Sequence, residues 1–384
     1  MRAHGETAFA PLVSIITPTF NHERFIGPCI SSVVAQTYTN WEQIIVDDGS
    51  TDDTAAIVRR YADPRIRYQR QEHVGILALA ETYNRGLRAA RGELISILEG
   101  DDLWTADKLD RLAPAFVDPD VVLGYGRTEI LVGNELTAKL IPDGSFEKTY
   151  GKAVLFNDPP GAATFPLLLR SGFGFPCALL IRRSALEAIG GFQYVKDLGA
   201  VDYPTLLALT LQGRFDFVER VVAYWRRHPA SASWAGEERN ARAMHEFVRA
   251  FMSDHGAELG LRTDQIQQIE QTWSHYRQRV AFNAGRYLLF QRRWAEARDR
   301  FLQAVRSPDP TVIVGALIGY VASLLRTHIE PVLTAAGRVS FSTRPQQEMA
   351  IVKSARRLDR GQATEGTPGC AGECVSGAER QAQR

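Results

Sequence analysis

Residues 12–54, LVSIITPTFNHERFIGPCISSVVAQTYTNWEQIIVDDGSTDDT, decide the fold. LVSIIT, at 12–17, is apolar and β-branched almost throughout, which predicts a strand buried on both faces, as in parallel sheets. From Arg24 to Gln36 the apolar residues Phe25, Ile26, Cys29, Ile30, Val33 and Val34 recur at helical spacing. QIIVDD, at 43–48, is a second buried strand. Gly49, Ser50 and Thr51 then form a turn whose hydroxyls can cap a helix through Ala55, Ile57 and Val58. Outward from there, a third strand at Ile66–Gln69, a helix from Leu77 to Ala90 and a fourth strand, ELISILE at 93–99, extend the alternation. Strands alternating with helices predict an α/β chain built on a doubly wound parallel sheet.

Ligands of such sheets sit beyond the carboxyl ends of the strands. Three strand ends meet there: Pro18-Thr19-Phe20-Asn21, Asp47-Asp48-Gly49-Ser50 and Glu99-Gly100-Asp101-Asp102. Two of them bring paired carboxylates to one rim, where like charges repel unless a cation or hydrogen-bond donors compensate them. A divalent metal is the simplest compensation. A surface turn capping a helix is the plain alternative for DDGSTDD, but it does not explain a second acidic pair on the same rim. Neither GxGxxG nor GxxxxGK[ST] follows the first strand, which removes the two commonest nucleotide folds.

Beyond about residue 115 the alternation weakens. VVLGYG (121–126) and CALLIRR (177–183) read as strands, with a helix from Ser184 to Ile189. Residues 240–306 read as amphipathic helices, with one hairpin-like segment, FQRRWAEARDRFLQAV, similar to a single tetratricopeptide unit. TVIVGALIGYVASLL, at 311–325, falls short of the roughly 20 residues needed to span a bilayer and predicts a buried helix. From Gly337 on, few large apolar residues remain and disorder is expected.

The 384 residues are 45% hydrophobic and 23% charged, enough for a sizeable core. The net charge of +1 hides a split: residues 1–238 hold 24 Lys and Arg against 30 Asp and Glu, and residues 239–384 hold 21 against 14. No single basic face dominates, which argues against nucleic acid as a partner. Four cysteines, at 29, 177, 370 and 374, form neither a secreted disulfide framework nor paired zinc knuckles, and the N-terminus lacks an apolar signal stretch. A cytoplasmic protein is expected.

VSIITPTFN (13–21), VVAQTYTNW (33–41), EQIIVDDGSTDDT (42–54) and NRGLRAARGELISILEGDDLWTADKL (84–109), in this order, resemble the nucleotide-binding half of the family 2 glycosyltransferases. The resemblance runs from about residue 12 to 235 and implies the GT-A fold and inverting, nucleotide-sugar-dependent transfer. It implies that Asp48 hydrogen-bonds the base, typically uracil, inside a wall of Pro18, Thr19 and Phe20. Asp101 and Asp102 match the end of the DxD-type signature, where one aspartate contacts ribose or metal and the second binds Mg²⁺ or Mn²⁺. Glu99 stands where the family often has aspartate.

Inversion needs a base opposite the leaving diphosphate, since the acceptor hydroxyl must lose its proton as it attacks. AIGGFQYVKDLGAVDYPTLLALTLQG (188–213) resembles the family segment that supplies it, with Gly190, Gly191 and Phe192 in place and Asp202 matching the aspartate; Val201 replaces the preceding Glu. A helix cap ahead of Pro204 is the plain alternative for Asp202. VVAYWRRHPASAS (221–233) resembles the segment ending in RHP, which implies His228 at the diphosphate or metal, with Arg226 or Arg227 near phosphate. Trp104 would line the acceptor side or simply pack, and Cys177 would lie in the core.

The expected organisation is a GT-A domain at 10–235, a helical region at 236–336 and a disordered tail at 337–384. The expected acceptor is a hydroxyl of a glycan or lipid-linked glycan of the cell envelope. Arg-rich helices such as QRRWAEARDR would give peripheral contact with anionic lipid at the inner face of the cytoplasmic membrane. A non-catalytic sugar-nucleotide-binding module, which Val201 favours, and a nucleotidyltransferase on a related sheet are the alternatives.

Overall fold

The structure is a computed structural model that describes residues 9–132, 135–136, 151–169, 175–228 and 236–327. All of these fall within one compact unit, Met1–Ala336. The tail from Gly337, with Cys370 and Cys374, lies outside the described residues, as do residues 133–134, 137–150 and 170–174.

The opening alternation folds as expected: β1 (Val13–Thr19), α1 (Ile26–Val34), β2 (Trp41–Asp47), α2 (Thr54–Val58), β3 (Ile66–Arg70), α3 (Leu79–Ala89) and β4 (Leu94–Ile97). The order β3-β2-β1-β4 is parallel throughout, with Val13 opposite both Trp41 and Leu94. Every residue of β1, β2 and β4 is buried. The strands divide their side chains between two layers. Ile16, Ile44 and Val46 pack with Tyr83 and Leu87 of α3, whereas Val13, Ile15 and Trp41 pack with Cys29 and Val33 of α1. Each such aliphatic side chain contributes roughly 1.5–3 kcal/mol of burial free energy.

The sheet continues through antiparallel pairings. β5 (Leu103–Trp104), α4 (Lys108–Leu112), β6 (Val121–Val132), β7 (Glu135–Leu136), α5 (Lys152–Leu155), α6 (Thr164–Leu169), β8 (Leu179–Arg182), α7 (Arg183–Ala188), α8 (Asp202–Leu209) and β9 (Arg214–Arg227) complete the front of the chain. The full order is β3-β2-β1-β4-β8-β6-β9-β5, with β7 on β6. The sheet is therefore mixed, and parallel without interruption only as far as β4. β8 runs against both β4 and β6, while β6 and β9 are parallel. Two reversals restore the direction, so β9 ends at the same rim as β1, β2 and β4.

Four helices follow: α9 (Glu237–His255), α10 (Thr263–Phe290), α11 (Trp294–Ala304) and α12 (Pro310–Leu324). Val248, Phe251, Ile269 and Trp273 of α9 and α10 join the same core as Leu168 and Tyr203. The Trp273 indole donates to the Leu168 carbonyl at 2.6 Å. α12 departs from expectation, because only one of its faces is buried. Ala316, Gly319 and Ala322 face inward, and a Cβ on Gly319 would meet the Phe301 ring at 2.4 Å. Val314, Leu317, Ile318, Val321, Leu324 and Leu325 are 40–71% exposed and form an aliphatic stripe without a charge. No helix among the described residues is long and apolar enough to cross a membrane.

Candidate functional site

The end of β1 ties the two acidic loops together. Pro18 O accepts from Gly100 N at 3.0 Å, and Thr19 O accepts from Asp48 N at 2.9 Å. Pro18 and Thr19 are thus buried pieces of the rim, while Phe20 emerges from it. The Phe20 ring stacks on His73 with centroids 4.1 Å apart. Asn21 latches the adjacent turn: its N–H donates to Ser50 Oγ at 2.9 Å and its Oδ1 accepts from Thr51 N at 2.8 Å.

The two aspartates after β2 have different duties. Asp47 braces the turn, accepting from Ser50 N at 2.8 Å and from the Tyr68 hydroxyl at 2.5 Å. Asp48 organises residues 71–75. Its Oδ1 accepts from Gln71 Nε2 at 2.8 Å and Val74 N at 2.9 Å, and its Oδ2 from Gly75 N at 3.0 Å, with His73 Nδ1 also 3.0 Å away. A carboxylate offers about four lone-pair directions. Gln71, Val74 and Gly75 take three of them, so a nucleobase N–H would share the Asp48 carboxylate with these bonds or displace one.

Beyond β4 the chain makes a tight turn and returns along β9, with Leu103 opposite Tyr224 and Trp104 opposite Ala223. Arg226 fastens the turn: its N–H donates to Asp102 Oδ1 and its Nε to Asp101 O, both at 2.7 Å. Asp102 is 2% exposed. Burial, then the neighbouring Asp101 and Glu99, push its carboxyl well above the usual range. Asp101 behaves differently. Burial pushes its carboxyl up, but the hydrogen bond with His228 and the nearby His22 outweigh that and hold it below the ordinary value. His228 Nε2 lies 3.1 Å from Asp101 Oδ2.

His22, three residues past the end of β1, completes this group. His22, Asp101 and His228 each offer a ligand atom within 4.8 Å of the others. Burial lowers the His22 pKa, which favours the neutral, ligating imidazole. A divalent cation fits these residues: two imidazoles and a carboxylate converge beside two further acids, the buried Asp102 and the half-buried Glu99. Asp102 itself contributes no atom to the convergent set.

Glu99 stands behind this group. The Tyr83 hydroxyl donates to Glu99 Oε1 at 2.5 Å, and Glu99 Oε2 is buried without a partner. Burial raises Glu99 to about 7, opposed by the Tyr83 bond and reinforced by Asp101 and Asp202. Tyr83 also reaches the acceptor-side candidate, since Tyr83, Phe192, Asp202 and Thr205 line one small cavity with Pro176.

Asp202 occupies the first turn of α8, with Val201 as the N-cap residue. Burial pushes its carboxyl up, opposed by the backbone N–H groups of Tyr203 and of Asp202 itself. Val201 is 4% exposed and packs into the core. The Gly190-Gly191-Phe192 turn holds this helix in place. Asn84 of α3 bonds both Phe192 N, at 2.9 Å, and Phe192 O, at 2.8 Å. Gly191 has φ +91°, and a Cβ there would lie 2.5 Å from Asn84 Oδ1, so glycine permits both the backbone and the close approach.

Other candidates are structural. Trp104 packs, its indole donating to Cys177 O at 2.7 Å. The same carbonyl accepts from the buried Lys108 Nζ at 2.8 Å. Cys29 and Cys177 are fully buried around the β4 end; Cys29 Sγ donates to Glu99 O at 3.5 Å and Cys177 hydrogen-bonds Asp102. His22, His73 and Tyr83 carry no spacing signature. The only signal for His22 is its place directly beyond a strand end.

Residues 14–190 match the family described as Glycosyl transferase family 2. WfgD of Escherichia coli, a UDP-Glc:α-D-GlcNAc-diphosphoundecaprenol β-1,3-glucosyltransferase, is 36% identical over 167 residues, 43% of this chain and 64% of WfgD. The match thus spans less than two thirds of that relative. The uncharacterized glycosyltransferase alr2836 of Nostoc is 27% identical over 278 residues, 70% of this chain and 83% of its own. Among solved structures, the mannosyltransferase PcManGT of Pyrobaculum calidifontis, in complex with GDP-Man and Mn²⁺, aligns over 93% of this chain and 89% of its own. Its TM-score is 0.53 at 19% identity, a likeness of fold.

Proposed function

Because residues 14–190 belong to glycosyltransferase family 2, we propose that this protein is an inverting transferase that moves a sugar from a nucleotide donor, a UDP-sugar, to a hydroxyl of a lipid-linked or growing cell-envelope glycan. One observation carries the proposal: Asp101, His22 and His228 converge at the rim that also bears Phe20 and Asp48. WfgD, named for a diphosphoundecaprenol-linked acceptor, supports the acceptor class.

In this reading Phe20 and His73 offer an exposed stacking surface for the base, and Asp48 holds residues 71–75 around it. Asp101, His228 and His22 would hold Mg²⁺ or Mn²⁺ against the diphosphate. Such a cation supplies charge stabilisation as the diphosphate leaves. Asp202, with its carboxyl raised by burial, takes the proton of the acceptor hydroxyl and so makes a single displacement with inversion possible. Incubation with a panel of nucleotide sugars, Mn²⁺ and polyprenyl-diphosphate-linked glycans tests the proposal. Transfer from one donor, with the anomeric configuration inverted, is the expected result. UDP release without transfer to any glycan would favour the non-catalytic donor-binding module, and pyrophosphate-dependent exchange would favour a nucleotidyltransferase.

The exposed α12 stripe, flanked in sequence by the exposed Arg306 and Arg326, supports peripheral docking on an anionic membrane surface. Aliphatic side chains would enter the interface while arginines meet the headgroups. Co-sedimentation with phosphatidylglycerol vesicles at low salt is expected to fall about tenfold in a Leu317→Glu, Val321→Glu variant. Wild-type protein that stays in the supernatant would overturn the docking.

A further inference from the structure

The donor atoms around Asp101 bear on which cation is used, a question that the proposed function leaves open and on which this inference rests. Magnesium takes oxygen ligands almost exclusively and gives up its water reluctantly. Here two of the three convergent side chains are imidazoles. Imidazole nitrogen favours first-row transition ions, with affinity rising from Mn²⁺ through Co²⁺.

His22 tips this balance. His228 and Asp101 alone would offer one nitrogen and one carboxylate. The surroundings of His22 have the form of a ligand position. His22 Nδ1 and Thr19 Oγ1 are both buried without a partner, and both face Gly100. A Cβ on Gly100 would lie 2.6 Å from Thr19 Oγ1 and 2.7 Å from His22 Nδ1, so glycine keeps this space open. Buried polar atoms are normally paired, and two that lack partners at one point mark a place for another group.

We infer that His22 is the third protein ligand of the catalytic cation and that, by adding a second imidazole, it makes the site select Mn²⁺ and its heavier neighbours over Mg²⁺. Mg²⁺ at ordinary excess then leaves the site to the transition ion.

The test is binding, read by the EPR signal of free Mn²⁺ titrated into the full-length chain with and without UDP. Mn²⁺ is expected to be displaced by Co²⁺ at comparable concentration, and by Mg²⁺ only at more than about tenfold excess. His22→Gln should weaken Mn²⁺ about tenfold or more with an unchanged melting temperature. His22→Asp exchanges nitrogen for oxygen and should move the preference toward Mg²⁺ by about tenfold, a change that loss of packing would not produce. Equal displacement by Mg²⁺ and Co²⁺, or a His22→Asp protein with the wild-type order, would overturn the inference. Wild-type protein that binds none of the three ions, even with UDP, would instead overturn the metal-bridged reading beneath it.

Discussion

Asp101→Asn is expected to lower the rate of sugar transfer by about a thousandfold while leaving the melting temperature unchanged. Asp101 is the carboxylate among the three convergent groups, and His228 and His22 hold it ionised. The substituted carboxamide would keep the size and the hydrogen bond to His228 but lose the negative charge that a cation requires. Asp102→Ala is the companion variant, since Asp102 accepts from the Arg226 N–H and lies outside the convergent group. It deprives the buried Arg226 N–H of its acceptor, a loss of roughly 1–3 kcal/mol that appears in thermal unfolding. A donor-saturated rate assay beside a melting curve distinguishes the two. Asp101→Asn protein with most of its transfer rate would remove Asp101 from the centre of the mechanism.

Asp202→Asn is expected to lower transfer by a factor of about 10²–10⁴ and to leave donor affinity within about twofold. The asymmetry follows from position. Asp202 stands at the start of α8, in a cavity with Tyr83 and Phe192, whereas the donor-side groups are on the strand-end loops. The pH profile gives an independent check. A base must be ionised to accept a proton, and burial has raised this carboxyl, so the acid limb of transfer should fall at a pH above the ordinary aspartate range. The sign is fixed: activity rises as pH climbs through the raised pKa. In Asp202→Asn protein that limb should vanish from the residual rate. Substantial transfer with the limb intact would assign the base elsewhere; Glu99, raised to about 7, is the next carboxylate to replace.

How far the sequence discloses all this depends on which interactions are local. β1, β2 and β4 are apolar on both faces because helices cover both, so their runs show directly in the residues. The mixed half of the sheet offers no such cue. β6 pairs with β9 across about ninety residues, Val121 opposite Arg214, and β5 is only two residues long. The acidic pairs at the strand ends are readable as chemistry without that half of the sheet. The approach of His228 to Asp101 is implied only by family resemblance, because its physical cause is the double reversal that turns β9 back to the rim. α12 misleads for the opposite reason. All its residues from 312 to 325 are apolar or small, so no polar face marks the side that water meets.

Cys29 and Cys177 equip the protein with its own clock. Both thiols are wholly enclosed at the β4 end, and enclosure together with the carboxylates nearby raises both far above ordinary thiols. A thiol-specific reagent added from outside can react only in moments when that end comes apart, and the thiols must then ionise in water. With Cys370 and Cys374 replaced, the labelling rate therefore counts spontaneous openings around the loop after β4 that carries Glu99, Asp101 and Asp102. A nucleotide or cation that binds there should lengthen the interval between openings, so the protein reports occupancy of its site even when the acceptor is unknown.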